Sequence, residues 1–385
     1  MPRPIIDLRI TILDRFVISA FLRTFIVCFL SLVGLYVIID AFSNFDDFLA
    51  EGQKSGLMKV LGQYYGPRML SFFDATSPLL TLCAACFTIT GMQRANEFTA
   101  ILAAGISKTR VVRWLIVASL GVFGLSIANR EYLLPMHRDA LTKKAQDWGG
   151  EKVGKISPIY DLSSGVLING GGVVVAYKQI RDPMFQLPPE CQSVGRFVIA
   201  EEAYYIPGKT DRPGGYIFYK VKSPANLATV SSAGANGKTI FFSPKDTIWL
   251  KPENCYVATE VKFDDVAGGT AWRQYSSTAT LLRDLWNPAI DFGSGIRVLI
   301  HSRITRPFLD ACLLFLGLPI VLARRQRHFL VIGGICLLIV GAYSVLVIAC
   351  QSLGASMTVS APVAAWLPIL ISAPIATAMC QFIWE

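Results

Sequence analysis

From His328 to Trp384 the chain contains no lysine, arginine, aspartate or glutamate. No soluble fold leaves a stretch of that length without a charged side chain, so this segment must be read against a lipid environment. Charge is scarce throughout: 16% of the 385 residues are charged and 53% are hydrophobic, where soluble domains average about 25% charged. Histidine is scarcer still. The three that occur, His137, His301 and His328, stand apart, which excludes HExxH and every other metal-spaced cluster. GxSxG and the P-loop are missing too, so the chain is expected to have no catalytic residues, no metal, no cofactor and no nucleotide site of its own. An intramembrane enzyme would have to rest on Asp74 and Asp310. No repeat or low-complexity tract occurs. Of nine cysteines, Cys28, Cys83, Cys86, Cys312, Cys336, Cys350 and Cys380 fall in apolar runs, where a thiol is a small filler. The CxxC of Cys83 and Cys86 reads the same way. Cys191 and Cys255 remain as a pair for which a disulfide is open.

What is present is apolar sequence in long blocks. A hydrocarbon core of about 30 Å needs about 20 apolar residues in a helix. Phe16–Ile39 meets this with Arg23 as its one charge, Met69–Gln93 follows with Asp74 inside it, and Val111–Asn129 is the third. Pro307–Ala323 is the fourth, with Asp310 inside it. The charge-free segment divides near Leu353-Gly354-Ala355-Ser356 and Pro362 into a fifth and a sixth. An even number of spans places both ends of the chain on one side. Short loops on that side hold Arg3, Arg9, Arg15, Arg94, Lys108, Arg110, Arg113, Arg324, Arg325 and Arg327. The opposite loop holds Lys54, Lys59 and Arg68 against Asp40, Asp46, Asp47 and Glu51. The positive-inside rule therefore puts both termini in the cytoplasm. The same bias accounts for much of the net charge of +9, so no nucleic-acid partner is implied. The first apolar run is long enough to span and lacks a small-residue cleavage pattern, so it is expected to stay as an anchor.

The polar middle then lies outside the cytoplasm, and its texture is β. Gly165–Tyr177 reads as two β-branched runs around a glycine turn. Arg196–Ala200, Gly215–Val221, Thr239–Phe242, Thr247–Leu250 and Tyr256–Val261 continue the series, with Pro207-Gly208, Pro213-Gly214-Gly215 and Ser243-Pro244 as turns. Short strands at this spacing predict a sandwich, a jelly roll or an open barrel. The division expected is residues 1–129 for three spans, 130–300 for the β-domain and 301–385 for three more spans.

Two features invite a functional reading. Arg94–Ser107 is too polar for lipid yet patterned as an amphipathic helix, with Phe98, Ile101, Leu102 and Ile106 on one face. Ala103-Ala104-Gly105 flattens that face, Gly105 is a natural stop, and Ser107 is a possible cap for the next helix. It is either an ordinary connection or a short helix exposing a small apolar patch beside Glu97 for another protein to grip. Arg297, His301, Arg303 and Arg306 cluster before the fourth span, on the side where cations should be few. They either snorkel, with an Arg306–Asp310 pair four residues apart, or meet an anion such as a lipid phosphate. Arg23 and Asp74 are candidates because charge within a span is costly unless it faces protein or water.

Leu13-Asp14-Arg15-Phe16, Glu97–Ala100 with Ala103–Ser107, Leu282-Arg283-Asp284-Leu285-Trp286, Arg303-Ile304 with Pro307, Gly317-Leu318-Pro319 and Ala364-Ala365-Trp366-Leu367-Pro368 resemble, in order and spacing, the lipopolysaccharide-export permease family LptF/LptG (YjgP/YjgQ). The resemblance covers nearly the whole chain. It implies six transmembrane α-helices (3+3) with an inserted periplasmic all-β jelly-roll-like domain, in the inner membrane. It further implies an ABC-transporter permease that extracts a lipopolysaccharide-like lipid, with a cytoplasmic ABC ATPase dimer, a paralogous six-span permease and a periplasmic bridge protein as partners. Glu97, Phe98, Thr99, Ala100, Ile101, Ala103, Ala104, Gly105, Ile106 and Ser107 match the family's ATPase-coupling helix, placed at about 93–107. The family often carries Lys or Arg near the outer end of the first span, facing lipid phosphates. Here Tyr36–Asp40 followed by Asp46-Asp47 is acidic, so either the paralogous partner supplies the cations, or Arg68 and the Arg297–Arg306 cluster do, or the substrate differs from typical lipopolysaccharide; the lipid-contact candidates of this chain are Arg23, Arg68, Arg297, Arg303 and Arg306. The rival reading is a non-transporting scaffold or receptor whose β-domain binds a periplasmic partner.

Overall fold

The computed structural model describes residues 11–142, 153–191, 193–208, 212–227, 229–235, 237–287, 290, 293–322 and 329–384. Arg3, Arg9, Arg324, Arg325, Arg327 and His328 lie outside them. Two compact units emerge, one of residues 1–45, 65–136 and 294–385, the other of Asp46–Tyr64 and His137–Gly293.

The first unit is helical. Among the described residues six helices are long and apolar enough to cross a membrane. They are α1 (Ile12–Ser43), α3 (Leu57–Arg94), α5 (Lys108–Ala128), α10 (Gly293–Leu322), α11 (Phe329–Ala355) and α12 (Ala361–Trp384). In chain order the short helices α2 (Phe45–Ser55), which falls in the second unit, and α4 (Glu97–Ala103) lie between them, and α5 runs on through a π-helical turn at Asn129–Leu133 into α6 (Leu134–Met136). α1 begins at a capping box, in which the Thr11 N–H and hydroxyl both donate to Asp14 at 2.8 Å. Pro67, Pro78, Pro307, Pro319, Pro368 and Pro374 sit inside helices, as spans tolerate when neighbouring helices and hydroxyls re-satisfy the backbone. Val17 and Phe21 of α1, Leu80–Ile89 of α3, Val111 and Leu115 of α5 and Leu313–Leu318 of α10 form the shared core. Cys83 and Cys86 belong to it as packing.

The second unit is built on an antiparallel sheet. Its described strands are β1 (Ile159–Asp161), β2 (Val166–Ile168), β3 (Gly170–Val174), β4 (Gln179–Gln186), β5 (Phe197–Ile206), β6 (Gly215–Ser223), β7 (Ala233–Ala235), β8 (Lys238–Phe242) and β9 (Cys255–Ala258). The order is β1-β2-β4-β5-β6-β9-β8-β7, with β3 pairing on β4. This curved sheet is a half-barrel, as the β-domain reading requires. One side buries Val166, Ile168, Val198, Val257 and a knot in which Phe185 meets Tyr216 at 5.3 Å and Phe218 at 4.8 Å edge-on. Cys191 and Cys255 are both free and fully buried, so the disulfide left open by their compartment is not formed. The unit also carries α7 (Arg138–Thr142), α8 (Phe263–Gln274) and α9 (Thr278–Leu285), which an all-β reading lacked.

Two strand expectations fail. β2 and β3 do not form a hairpin around a glycine turn; each pairs with β4 instead. A Cβ on Gly172 would fall 2.8 Å from the Gly154 carbonyl, so that glycine permits a close approach rather than a reversal. Thr247–Leu250 is a turn, with Ile248 fully exposed and no partner among the described strands to give its β-branched residues a pleated surface.

Candidate functional site

Asn96, in the left-handed region at φ 57°, bends the chain off α3 into α4, and Gly105 at φ +79° ends it. Ser107 stands at the N-cap position of α5, but its hydroxyl bonds Thr109 at 2.9 Å rather than a backbone N–H. Phe98 is buried, and Ile101 and Leu102 pack on the helical core. This reverses the expectation that the apolar face is the one offered to a partner, because the bundle needs those side chains to close its own end. Burying Phe98 contributes about 1.5–3 kcal/mol to seating α4. What remains exposed is Glu97, Thr99, Ala100, Ala103, Ala104 and Gly105, a shallow surface of small side chains with one carboxylate at its edge. Ile106 is half-buried.

Sequence reasoning missed the tie beside this segment. The Arg110 guanidinium at the start of α5 lies 3.7 Å from the buried Asp14 carboxylate and donates to the Thr11 hydroxyl at 3.2 Å, joining the first turns of α1 and α5. Asp14 belongs to a family-like motif, but nothing local in the sequence points from it to a residue so far along the chain.

A second cluster forms where α3, α5 and α10 meet. One terminal nitrogen of Arg130, Nη2, donates to both oxygens of the Asp74 carboxylate at 2.8 Å, a bifurcated charge-assisted contact. Arg306 reaches the same carboxylate at 3.4 Å and also donates to the Asp74 backbone carbonyl. Arg306 therefore turns to Asp74 on another helix and not to Asp310 on its own. Ser126 donates to Asp74 at 3.4 Å and shares a 3.1 Å contact with Ser77. Arg303 and Asp310 line the adjoining cavity of about 30 Å³. Of the lipid-contact candidates, the bundle brings together Arg303 and Arg306. Arg23 and Arg297 are exposed on α1 and α10, and Arg68 is half-buried on α3.

In the β-unit, Asp161 is fully buried and accepts from Ser163, Ser164, Thr259 and the Glu260 N–H. Beside it an open cavity of about 380 Å³ is lined by Ser163, Ser164, Gly214, Thr239, Phe242 and Thr259.

Six apolar helices bracketing an antiparallel half-barrel, with a small exposed helix at one end of the bundle, define a multi-pass membrane protein built around an inserted β-domain. The family model of the lipopolysaccharide export system permease LptF/LptG matches residues 15–182 and 285–381, and the chain belongs to that family. The match takes in all six spans and the first strands of the β-unit. No curated protein matches the chain.

Proposed function

We propose that the chain is the six-span subunit of an ABC transporter that extracts lipopolysaccharide, or a similar lipid, from the inner membrane and passes it to a periplasmic bridge. A separate cytoplasmic ATPase dimer hydrolyses the nucleotide, and a paralogous six-span permease completes the pathway. Both termini face the cytoplasm and the β-unit faces the periplasm. Each acyl CH₂ contributes about 0.8 kcal/mol to holding the lipid in the bilayer, so extraction of a many-chained amphiphile needs an external energy source.

The observation that carries this reading is the construction of α4. A helix anchored by Phe98 while exposing Glu97, Ala100, Ala103 and Ala104 has the form of a rigid lever end. Small side chains allow close approach, and the carboxylate fixes orientation against a basic partner. Arg23 lies eleven residues into α1, about 17 Å from its start, and is exposed there. A cation at that depth needs a counter-charge from a second subunit or from lipid.

The test is co-purification from detergent-solubilised membranes, with the ATPase identified by mass spectrometry. Glu97→Lys is expected to lower recovered ATPase about tenfold, a change of about 1.4 kcal/mol, while elution of the chain itself stays monodisperse. Undiminished ATPase recovery with Glu97→Lys would remove α4 from the coupling role.

A further inference from the structure

The bundle holds a charge arrangement that the transporter reading does not require and that no element of the fold explains. One carboxylate, Asp74, serves two guanidiniums, and the three side chains together carry a net positive charge. Their side chains are 14% (Asp74), 12% (Arg130) and 29% (Arg306) exposed, so Arg306 is the more reachable arm and Arg130 the fixed one. Glu131, Arg303 and Asp310 line the cavity alongside.

Depth along the helices sets the level of this cluster. Asp74 lies twenty residues from Arg94 at the end of α3, about 30 Å, and Arg130 lies 22 residues beyond Lys108 at the start of α5, about 33 Å. One hydrocarbon thickness is about 30 Å. Measured from the α4 end of the bundle, the cluster therefore stands at the opposite headgroup plane, where lipid phosphates lie. A guanidinium fork fits phosphate as well as carboxylate. The adjoining cavity of about 30 Å³ has room for one or two waters and none for a phosphate, so an anion of that size enters by replacing what is already there.

We infer that Asp74 is a resident counter-anion, occupying on Arg306 and Arg130 the seat that the phosphate ester of a lipid headgroup takes during transport. This rests on the proposed lipid-transporting function. Exchange of one anion for another never leaves a buried guanidinium unpaired, which is the costly state. It also gives the lipid a way out: when Asp74 returns to Arg306, the phosphate is released. Asp74 is in these terms a positioning and specificity residue, favouring a phosphorylated headgroup over a neutral one of the same shape.

The experiment measures binding to the purified full-length chain in detergent micelles. The probes are phosphatidic acid, the diacylglycerol with the same chains, and inorganic phosphate. Asp74→Asn keeps the shape and removes the charge; it is expected to bind phosphatidic acid at least about tenfold tighter than the wild type, with diacylglycerol unchanged. Arg306→Gln is expected to lose at least about fivefold of the preference for phosphatidic acid over diacylglycerol. If Arg306→Gln loses that preference and Asp74→Asn gains nothing, the lipid contact stands and the Asp74 inference falls. If neither variant differs from the wild type, both fall. Tightening towards inorganic phosphate but not towards phosphatidic acid overturns the inference in favour of a free-ion site. Should Asp74→Asn fail to fold, the charge-balanced Asp74→Asn/Arg130→Gln pair decides: it leaves Arg306 without its carboxylate partner and should still bind phosphatidic acid at least threefold tighter, and equality with the wild type overturns the inference.

Discussion

Two carboxylates of the β-unit respond to their surroundings in opposite senses. Burial pushes Asp161 up, but hydrogen bonds from Thr259, Ser163 and Ser164 outweigh it and hold the acid below its ordinary value of 3.8. Its contribution to stability is present above the usual carboxylate range and is lost as pH falls through the lowered pKa. Asp161→Asn leaves hydroxyl donors without their anion, and thermal unfolding is expected to report a loss of about 3 kcal/mol at neutral pH. Asp265, in the first turn of α8, is pushed up to about 6 by burial and then by the nearby Asp284, itself raised by burial. A raised carboxylate contributes stability that is complete below about pH 4 and is lost as pH rises through 6. Unfolding temperature should therefore fall between pH 5 and pH 7.5, by an amount corresponding to about 1.4 kcal/mol, and Asp265→Asn should flatten that slope. A slope unaltered by Asp265→Asn would assign it elsewhere. None of this was visible along the chain, because Asp161 and Thr259 are 98 residues apart and Asp74 and Arg306 are 232 apart. Sequence patterning marked Asp74 inside the second span and Arg306 just before the fourth as unusual, but could not pair them.

At the scale of elements, the spans were legible because the hydropathy of a lipid-buried helix is a strong signal with few competing explanations. The β-unit was less so. Glycine serves both turns and close approaches, and Gly170–Gly172 took the second role; a β-branched run forms a strand where another strand pairs with it, and Thr247–Leu250 pairs with none of the described strands. The amphipathic pattern of α4 was correct in period and wrong in direction, since a pattern names a face without naming what covers it. Gly317 of the family-like Gly317-Leu318-Pro319 has a structural reason of its own. A Cβ there would fall 2.4 Å from Leu82 Cδ1, at a leucine 1% exposed between α3 and α10. Gly317→Val is expected to cost about 1–3 kcal/mol by overpacking, read as a lower unfolding temperature, and Leu82→Ala on the same chain should recover part of it. Additive losses in the double variant would contradict this contact.

At the scale of the whole molecule, hydropathy patterning and the family match point the same way as the architecture. Six spans bracket a half-barrel, an exposed small-residue helix lies at one end of the bundle, and a guanidinium–carboxylate cluster ties three of its helices together. The account joins these as parts of one ATP-driven lipid extractor. Its central claim is tested most directly in liposomes containing lipopolysaccharide, with the chain reconstituted beside its paralogue and ATPase, by measuring lipid delivered to a soluble periplasmic acceptor. Delivery is expected to require ATP and to stop when this chain is omitted. Delivery that proceeds equally without ATP, or without this chain, would contradict the account.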